Sequence, residues 1–193
     1  MANFNLFTQT ISAFEGGFQK RKSDPGNYNS ERVLVGTNHG ISASFYQTKI
    51  GRPPTEEDMR AITKEMAKAF FKTDFWDKVN ADLIHSQAVA ENIVDHAINA
   101  GPGTIGRIVQ KVLNKYFGKS LAVDGAIGLK SIQAINSVSS EKLFQKISQY
   151  RLIDYKTKNN PSWLKIWIKR VNDLADKFGI SIEKKKYLLH WLC

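Results

Sequence analysis

Apolar residues recur at helical spacing along most of the chain. The first such run predicts a helix over residues 3–16, and Gly16 and Gly17 indicate where it ends. Its apolar stripe consists of Phe4, Phe7, Ile11 and Phe14. Residues 18–40 break the pattern because they are polar and rich in Gly, Asn, Asp and Pro, which predicts loops or a short hairpin. Within them, the apolar run at 32–35 is a candidate strand.

Helical spacing returns after residue 40 and continues towards the end of the chain. Thr55 is a candidate N-cap, because three acidic residues follow it and suit the positive end of a helix. We expect that helix to run to about Lys72. Three further helices are predicted to begin at Ser42, Ser140 and Pro161. Others are predicted over residues 86–99, 104–117 and 129–137, and a last short helix contains Tyr187, Leu188 and Trp191. The pattern therefore predicts a mainly α fold, in one globular unit with an irregular region near the front.

Charge and composition limit the classes of partner and ligand that we expect for this protein. The 193 residues carry a net charge of +10 and have a pI near 9.6, which favours an anionic partner: nucleic acid, anionic lipid or a polyanionic cell wall. The lysines are scattered and no nucleic-acid motif is present, so we expect no nucleic acid. The single cysteine, Cys193, excludes a disulfide framework and a cysteine zinc site. The histidines lack metal-ligand spacing and no nucleotide motif occurs, so we expect no metal and no cofactor.

Glu15 is the first candidate for chemistry. It ends the first predicted helix, and two glycines follow it, which allow the backbone to approach a ligand closely. A carboxylate at a helix C-terminus faces the negative end of the dipole, so its position runs against a local preference. In a shielded cleft its pKa would rise, as a general acid requires. The alternative is a solvated carboxylate at a helix end.

Three further candidates follow in the polar region. Asp24 lies nine positions after Glu15 and precedes a Pro-Gly pair, so it is either a turn former or a second carboxylate of the kind that glycoside hydrolysis uses. Thr37 and Asn38 offer a hydroxyl and an amide on a glycine-flanked loop, which could order a water or bind a sugar hydroxyl. Their alternative role is to cap the helix that begins near Ser42.

Several motifs occur in one order along nearly the whole chain. They are EGGF (15–18), DPG (24–26), GTNHGIS (36–42), FWDKV (75–79), DHAINAGPG (95–103) and AVDGAIGLKSIQAI (122–135). This series resembles the N-acetylmuramidases of glycoside hydrolase family 108, a group that includes phage endolysins and proteins described as secretion activators. The later part, including SWLKIWIKRV (162–171), resembles the peptidoglycan-binding region that accompanies this fold.

The resemblance implies a lysozyme-like fold in which Glu15 is the catalytic acid. A looser similarity to phage-type lysozymes supports Asp24, because its spacing from Glu15 is kept. The segment between Asp24 and Thr37 is longer than in that pattern, with twelve residues (25–36). We expect Thr37 to reach the site only if those extra residues loop out. The implied organisation is a catalytic region at 1–100, a peptidoglycan-binding region at 101–180 and a C-terminal helix or tail at 181–193.

Other residues keep two interpretations. Asn99 would either point into the cleft and bind substrate or cap its own helix. The VDGAIG turn (123–128) resembles the turn of peptidoglycan-binding modules, but its glycines also suit a plain tight turn. We expect three of the four tryptophans to belong to the core rather than to stack on sugars. These tryptophans are Trp76, Trp163, Trp167 and Trp191.

The expected function is therefore a peptidoglycan hydrolase that cleaves the bond between N-acetylmuramic acid and N-acetylglucosamine. The alternatives are a lytic transglycosylase and a non-catalytic cell-wall-binding or secretion-assisting protein. No run approaches the roughly 20 apolar residues of a membrane span, so we expect no membrane insertion. The start also lacks the features of a signal peptide. We expect synthesis in the cytoplasm and action on the cell wall after export or release, for which a secretion system or a phage holin would be consistent.

Overall fold

The computed structural model of the chain describes residues 1–9, 16–158 and 161–182. It is mainly α, as the sequence predicts. The α-helices are α1 (Phe4–Thr8), α2 (Ala43–Ile50), α3 (Glu56–Arg60), α4 (Lys64–Phe71), α5 (Gln87–Ala100), α6 (Pro102–Phe117), α7 (Leu129–Asn136), α8 (Ser140–Thr157) and α9 (Pro161–Lys177). Short 3-10 turns cover Pro25–Asn27, Asp77–Val79 and Ala81–Leu83, and a π-helical turn covers Lys72–Trp76.

By packing, the chain divides into two units. We call Phe4–Thr73 the loop unit, because it contains the irregular region. The helical unit consists of Met1–Asn3 and the described residues from Asp74 onward. The predicted functional boundary near residue 100 stays a prediction, but it does not coincide with a packing boundary, since α5 packs directly on α6 and α8.

The helix predicted from Thr55 to about Lys72 is wrong in its continuity. Thr55 does cap α3, in a capping box with Asp58, but α3 ends at Arg60. Thr63 then caps a second helix, α4, by accepting a hydrogen bond from Met66 N. The break exists because a side chain from the irregular region binds the carbonyl groups at the end of α3, as described below.

The predicted strand at 32–35 is also wrong. Between residues 16 and 42 the chain forms isolated antiparallel bridges only, at Gln19 with Thr37, Tyr28 with Leu34 and Asn38 with Ile41. The region is therefore an irregular loop with one short hairpin-like pairing, as expected for residues 18–40. Ser42 then caps α2 by accepting a hydrogen bond from Phe45 N.

The core of the helical unit lies between α5, α6, α8 and α9. Its fully buried apolar side chains include Ile93, Val109, Leu113, Phe144 and Ile147. Apolar residues at three- and four-residue spacing explain why these helices form and which faces meet. The last predicted helix, with Tyr187, Leu188 and Trp191, lies outside the described residues.

A buried polar cluster joins α5 to α8 and α9. Arg151 is fully buried and donates hydrogen bonds to the backbone and side chain of Asn92, to Asp95 and to the Tyr155 hydroxyl. Asp95 also accepts a hydrogen bond from Arg170. Burial alone would raise the pKa of Asp95, but the Arg170 and Arg151 guanidinium groups outweigh it and lower that pKa to about 2. Asp95 is therefore ionised at neutral pH.

Candidate active site

Gln19 links two of the predicted site residues, Asp24 and Thr37. Its backbone N–H donates to Thr37 O, and Thr37 N–H donates to Gln19 O, both at 2.9 Å. Its side-chain Nε2 donates to Asp24 Oδ2 at 3.1 Å. One residue therefore connects Asp24 with Thr37, two positions that are thirteen apart in the sequence.

The extra residues between Asp24 and Thr37 form a closed side loop. The carbonyl oxygen of Asn27 accepts hydrogen bonds from both Val35 N and Gly36 N, at 2.8 and 2.9 Å. Residues 28–34 extend from this closed base, and we call these residues the side loop. Thr37 consequently returns to the neighbourhood of Asp24 despite the long spacing, as the sequence argument requires if Thr37 is to act there.

The Asp24 carboxylate is held at both oxygens. Oδ1 accepts a hydrogen bond from Gly26 N at 2.9 Å, which makes Asp24 the N-cap of the Pro25–Asn27 turn. Oδ2 accepts the bond from Gln19 described above. The turn-forming interpretation is thus correct for Asp24, and it also fixes the direction of the carboxylate. A half-exposed carboxylate with a fixed direction can orient a water or face a developing positive charge.

Sequence reasoning missed Gln19 and its partner Asn27. The two amides exchange hydrogen bonds, with Gln19 Nε2 donating to Asn27 Oδ1 at 2.8 Å and Asn27 Nδ2 donating to Gln19 Oε1 at 2.9 Å. Asn27 is fully buried. Polar residues in a polar segment carry no local signal of such pairing, since their partners are set by the path of the loop.

Gly36 is required where the side loop rejoins Thr37. Its φ of +97° lies in the region that favours glycine, and a Cβ there would lie 2.6 Å from the Phe18 ring and 2.8 Å from Gln19 O. The Phe18 ring is covered in turn by the Arg60 guanidinium, 3.8 Å from the ring centroid. Phe18 and Gly36 therefore bring the two chain segments together at the bridge between Gln19 and Thr37.

The Thr37 hydroxyl has an unusual environment. Its Oγ1 is buried and has no hydrogen-bond partner among the residues that the structure describes. A buried hydroxyl without a partner is costly, so its presence calls for an explanation. A water or a substrate group held by Thr37 would supply one, in agreement with the role expected from the sequence.

Asn38 has a structural role that neither sequence interpretation foresaw. It is 5% exposed, and its Nδ2 contacts the carbonyl oxygens of Met59, Arg60 and Ile62 at 3.0, 3.3 and 3.1 Å. The amide thus caps the C-terminal end of α3 instead of the start of α2. Because these carbonyl groups occupy the amide, the predicted binding of substrate by Asn38 has no support in this geometry and stays a prediction.

Asn99 lies in the helical unit. Its Nδ2 donates to Asp95 O, one turn earlier in α5, at 2.7 Å. This geometry favours the local alternative, in which Asn99 binds the backbone of its own helix. The substrate-binding role of Asn99 stays a prediction.

The VDGAIG turn is attached to α6 by one side chain. Gln110 is 2% exposed, donates to Asp124 Oδ1 at 2.7 Å and to Ala126 O at 3.0 Å, and accepts from Gly125 N at 2.8 Å. Gly125 has a φ of +89°. Residues of this turn line a pocket of about 570 Å³ together with Gln110. The tight-turn interpretation is therefore correct, and a binding role is compatible with it.

The tryptophans differ in burial. Trp76 is fully buried and donates to Asp82 Oδ1, so it belongs to the core. Trp163 and Trp167 are half-buried on α9, and the Trp167 ring stacks on Tyr155 at a centroid distance of 4.9 Å. Trp191 lies outside the described residues. Glu15 also lies outside them, so its role as general acid rests on the sequence and on the comparison below.

Comparison with known proteins supports a glycosidase. Residues 8–101 match the family model described as Glycosyl hydrolase 108. That range includes all five predicted site residues: Glu15, Asp24, Thr37, Asn38 and Asn99. The described fold is similar to that of a solved structure titled "Structure of Brucella abortus SagA", with a TM-score of 0.74, 23% sequence identity and coverage of 94% of this chain and 99% of that one. No curated protein matches the chain.

No helix in the described ranges combines the length and the apolar character that a membrane span requires.

Proposed function

We propose that this protein is a muramidase that hydrolyses the bond between N-acetylmuramic acid and N-acetylglucosamine in peptidoglycan. The observation that carries the proposal is the match of residues 8–101 to a glycosyl hydrolase family, because that range contains the sequence-predicted acid and its candidate partners. The match suggests peptidoglycan as the substrate. The identity of the cleaved bond is the finer step that the proposal adds.

In the proposed mechanism Glu15 protonates the glycosidic oxygen of the leaving sugar. Asp24 faces the sugar from its fixed position and either stabilises the oxocarbenium-like transition state or orients the attacking water. Thr37 holds that water through its hydroxyl. Gln19 is a positioning residue, because it touches Asp24 and Thr37 and has no role in proton transfer itself.

The basic surface fits this substrate. Peptidoglycan and its attached polymers are anionic, and attraction between opposite charges raises the rate of encounter. We further propose that residues 101–180 contribute to binding of the cell wall, as the resemblance of that region suggests.

The test is digestion of purified peptidoglycan by the wild type and by Glu15→Gln, with the products identified by mass spectrometry. The expected result is reducing muramic ends from the wild type and almost none from Glu15→Gln. Glu31→Gln is the matched control, since Glu31 is an exposed carboxylate of the same unit and the change in charge is equal.

Each other outcome has a definite meaning. Anhydro ends, which form without added water, would assign the protein to the lytic transglycosylases. Full activity of Glu15→Gln would refute the proposed acid. Absence of products from every variant, with intact binding to cell walls, would favour the non-catalytic binding role.

A further inference from the structure

A cluster of lysines and tyrosines lies between α6 and α8 in the helical unit. We call it the Lys–Tyr patch, and it consists of Lys111, Lys115, Tyr116, Lys146 and Tyr150. It adjoins an open pocket of about 460 Å³ whose lining includes Lys111, Lys115 and Tyr150. No carboxylate is among the residues that line this pocket.

Two of the three ammonium groups of the patch lie near one aromatic ring. Lys146 Nζ lies 4.9 Å and Lys115 Nζ lies 5.3 Å from the centroid of the Tyr116 ring. The Tyr116 and Tyr150 rings meet edge to face, with centroids 6.1 Å apart. Attraction to the negative face of the Tyr116 ring favours the approach of Lys115 and Lys146 despite their equal charge.

The positive charge of the patch is uncompensated within the described part of the chain. None of Lys111, Lys115 and Lys146 forms an ion pair with a carboxylate there, whereas Lys20, Lys169 and Lys177 do. Hydrogen bonding to the Tyr150 hydroxyl raises the pKa of Lys115, so this lysine stays charged throughout the neutral range. Three cations next to a pocket without a counter-charge create a field that attracts an anion.

The apolar side of the pocket is held in place. Asn114 donates to Leu121 O and accepts from Leu121 N, both at 2.8 Å, which fixes the loop that follows α6. That loop presents Val123, which is 41% exposed and lines the same pocket. Cations, a tyrosine and an exposed valine around one pocket suit a ring with apolar faces that also bears a negative group.

We propose that the Lys–Tyr patch is an accessory binding site for acidic saccharides of the cell wall. The ligand class is a sugar polymer that carries carboxylate or phosphate groups, and its choice rests on the proposed function. Single-stranded nucleic acid would also meet lysines and tyrosines, but successive bases need parallel stacking platforms. The interplanar angle of 87° between Tyr116 and Tyr150 provides no such platform.

The test measures binding of the full-length protein to purified cell walls by co-sedimentation. The patch variant is Lys111→Gln/Lys115→Gln/Lys146→Gln. The control variant is Lys64→Gln/Lys78→Gln/Lys165→Gln, which changes the net charge equally at exposed lysines elsewhere. All proteins also carry Glu15→Gln, to limit digestion of the walls, and are first compared by thermal denaturation.

We expect the patch variant to bind walls about tenfold more weakly, as the summed size of three charge pairs at the protein surface implies, and the control variant to bind within about twofold of its parent. Walls stripped of phosphate-bearing polymers identify the source of the negative group. If the difference between the variants survives stripping, the site binds carboxylates of peptidoglycan. If it disappears, the site binds the phosphate polymer.

Three results would overturn the inference. The two variants could weaken binding equally, which would assign the effect to net charge. The patch variant could bind like its parent. The parent could prefer a single-stranded DNA oligomer to cell walls and lose that preference in the patch variant. A wild-type protein that binds through the patch but releases no sugar fragments would refute the proposed function and leave this inference standing.

Discussion

Replacement of Gly106 by alanine gives a sharp test of how the VDGAIG turn is attached. Gly106 is buried in α6, and the backbone of Gly125 passes directly over it. A Cβ on Gly106 would lie 1.9 Å from Gly125 O and 2.5 Å from Gly125 C. Both are backbone atoms, so no side-chain rotation relieves the clash, and the turn would have to retreat by about 1 Å or more to restore a 3.0 Å contact.

Two effects oppose each other in Gly106→Ala. Alanine favours an interior helical position over glycine by about 1 kcal/mol. Forcing a group into a closely packed site costs about 1–3 kcal/mol, and occasionally more. Here the displaced turn also strains the hydrogen bond from Gly125 N to Gln110, worth about 1 kcal/mol. We therefore expect a net loss of roughly 2 kcal/mol, which lowers Tm by about 4–8 °C in a chain of this length.

The assay is thermal denaturation at neutral pH, followed by circular dichroism. Gly103→Ala is the matched control, because Gly103 lies in the same helix and its added Cβ would meet nothing closer than Arg107 Nη1 at 3.6 Å. The control should leave Tm unchanged or raise it slightly. A Gly106→Ala protein at least as stable as Gly103→Ala would refute the close contact between α6 and the turn.

Three further predictions follow from the loop unit and from the buried cluster. Gln19→Leu should lower the rate of peptidoglycan digestion at least about tenfold with little change in KM, because the Asp24 carboxylate loses the hydrogen bond that it accepts from Gln19. An unchanged rate would contradict the positioning role. Asn38→Ala should reduce the free energy of unfolding by about 1–3 kcal/mol in urea titrations, since carbonyl groups at the end of α3 lose their donor, and equal stability would contradict that role. Tm should fall as pH drops below about 6.5, because burial lowers the pKa of His96 in the folded state and the unfolded chain then binds more protons; His96→Gln should flatten this decline, and an unaltered slope would assign it to other groups. Tm should fall again below about 3.8, because the Arg170 and Arg151 guanidinium groups outweigh burial and lower the pKa of Asp95 in the folded state, so the unfolded chain again binds more protons.

Helix starts were predictable because their signals are local. Ser42 and Thr55 cap the helices that the sequence places after them, and α9 begins at Pro161 as predicted. The break between α3 and α4 was not predictable, because the amide of Asn38 that binds its carbonyl groups comes from more than twenty residues away. A capping residue that directly precedes its helix can be recognised in the sequence, whereas a cap from a distant residue depends on how the chain folds.

The same distinction applies to the candidate site. The carboxylate Asp24 and the hydroxyl Thr37 could be proposed from residue type and order. The connection between them depends on Gln19, whose amide has no distinctive neighbours in the sequence. Gln110, which binds the VDGAIG turn, also has no distinctive sequence signal, since it looks like an ordinary polar position on an amphipathic helix.

Because the base of the side loop is closed, the length of the loop can change without moving the residues at its two ends. Asn27 O accepts hydrogen bonds from Val35 N and Gly36 N, which closes the base on both sides of residues 28–34. Residues added to or deleted from 28–34 would therefore change the size of the loop and leave Thr37 in place. Lengthening such a loop is cheap, since a doubling costs only about 0.6 kcal/mol of closure entropy. Searches that demand a fixed interval between the carboxylate and the hydroxyl would overlook proteins of this design, and the side loop offers an insertion point for peptide tags or altered recognition sequences.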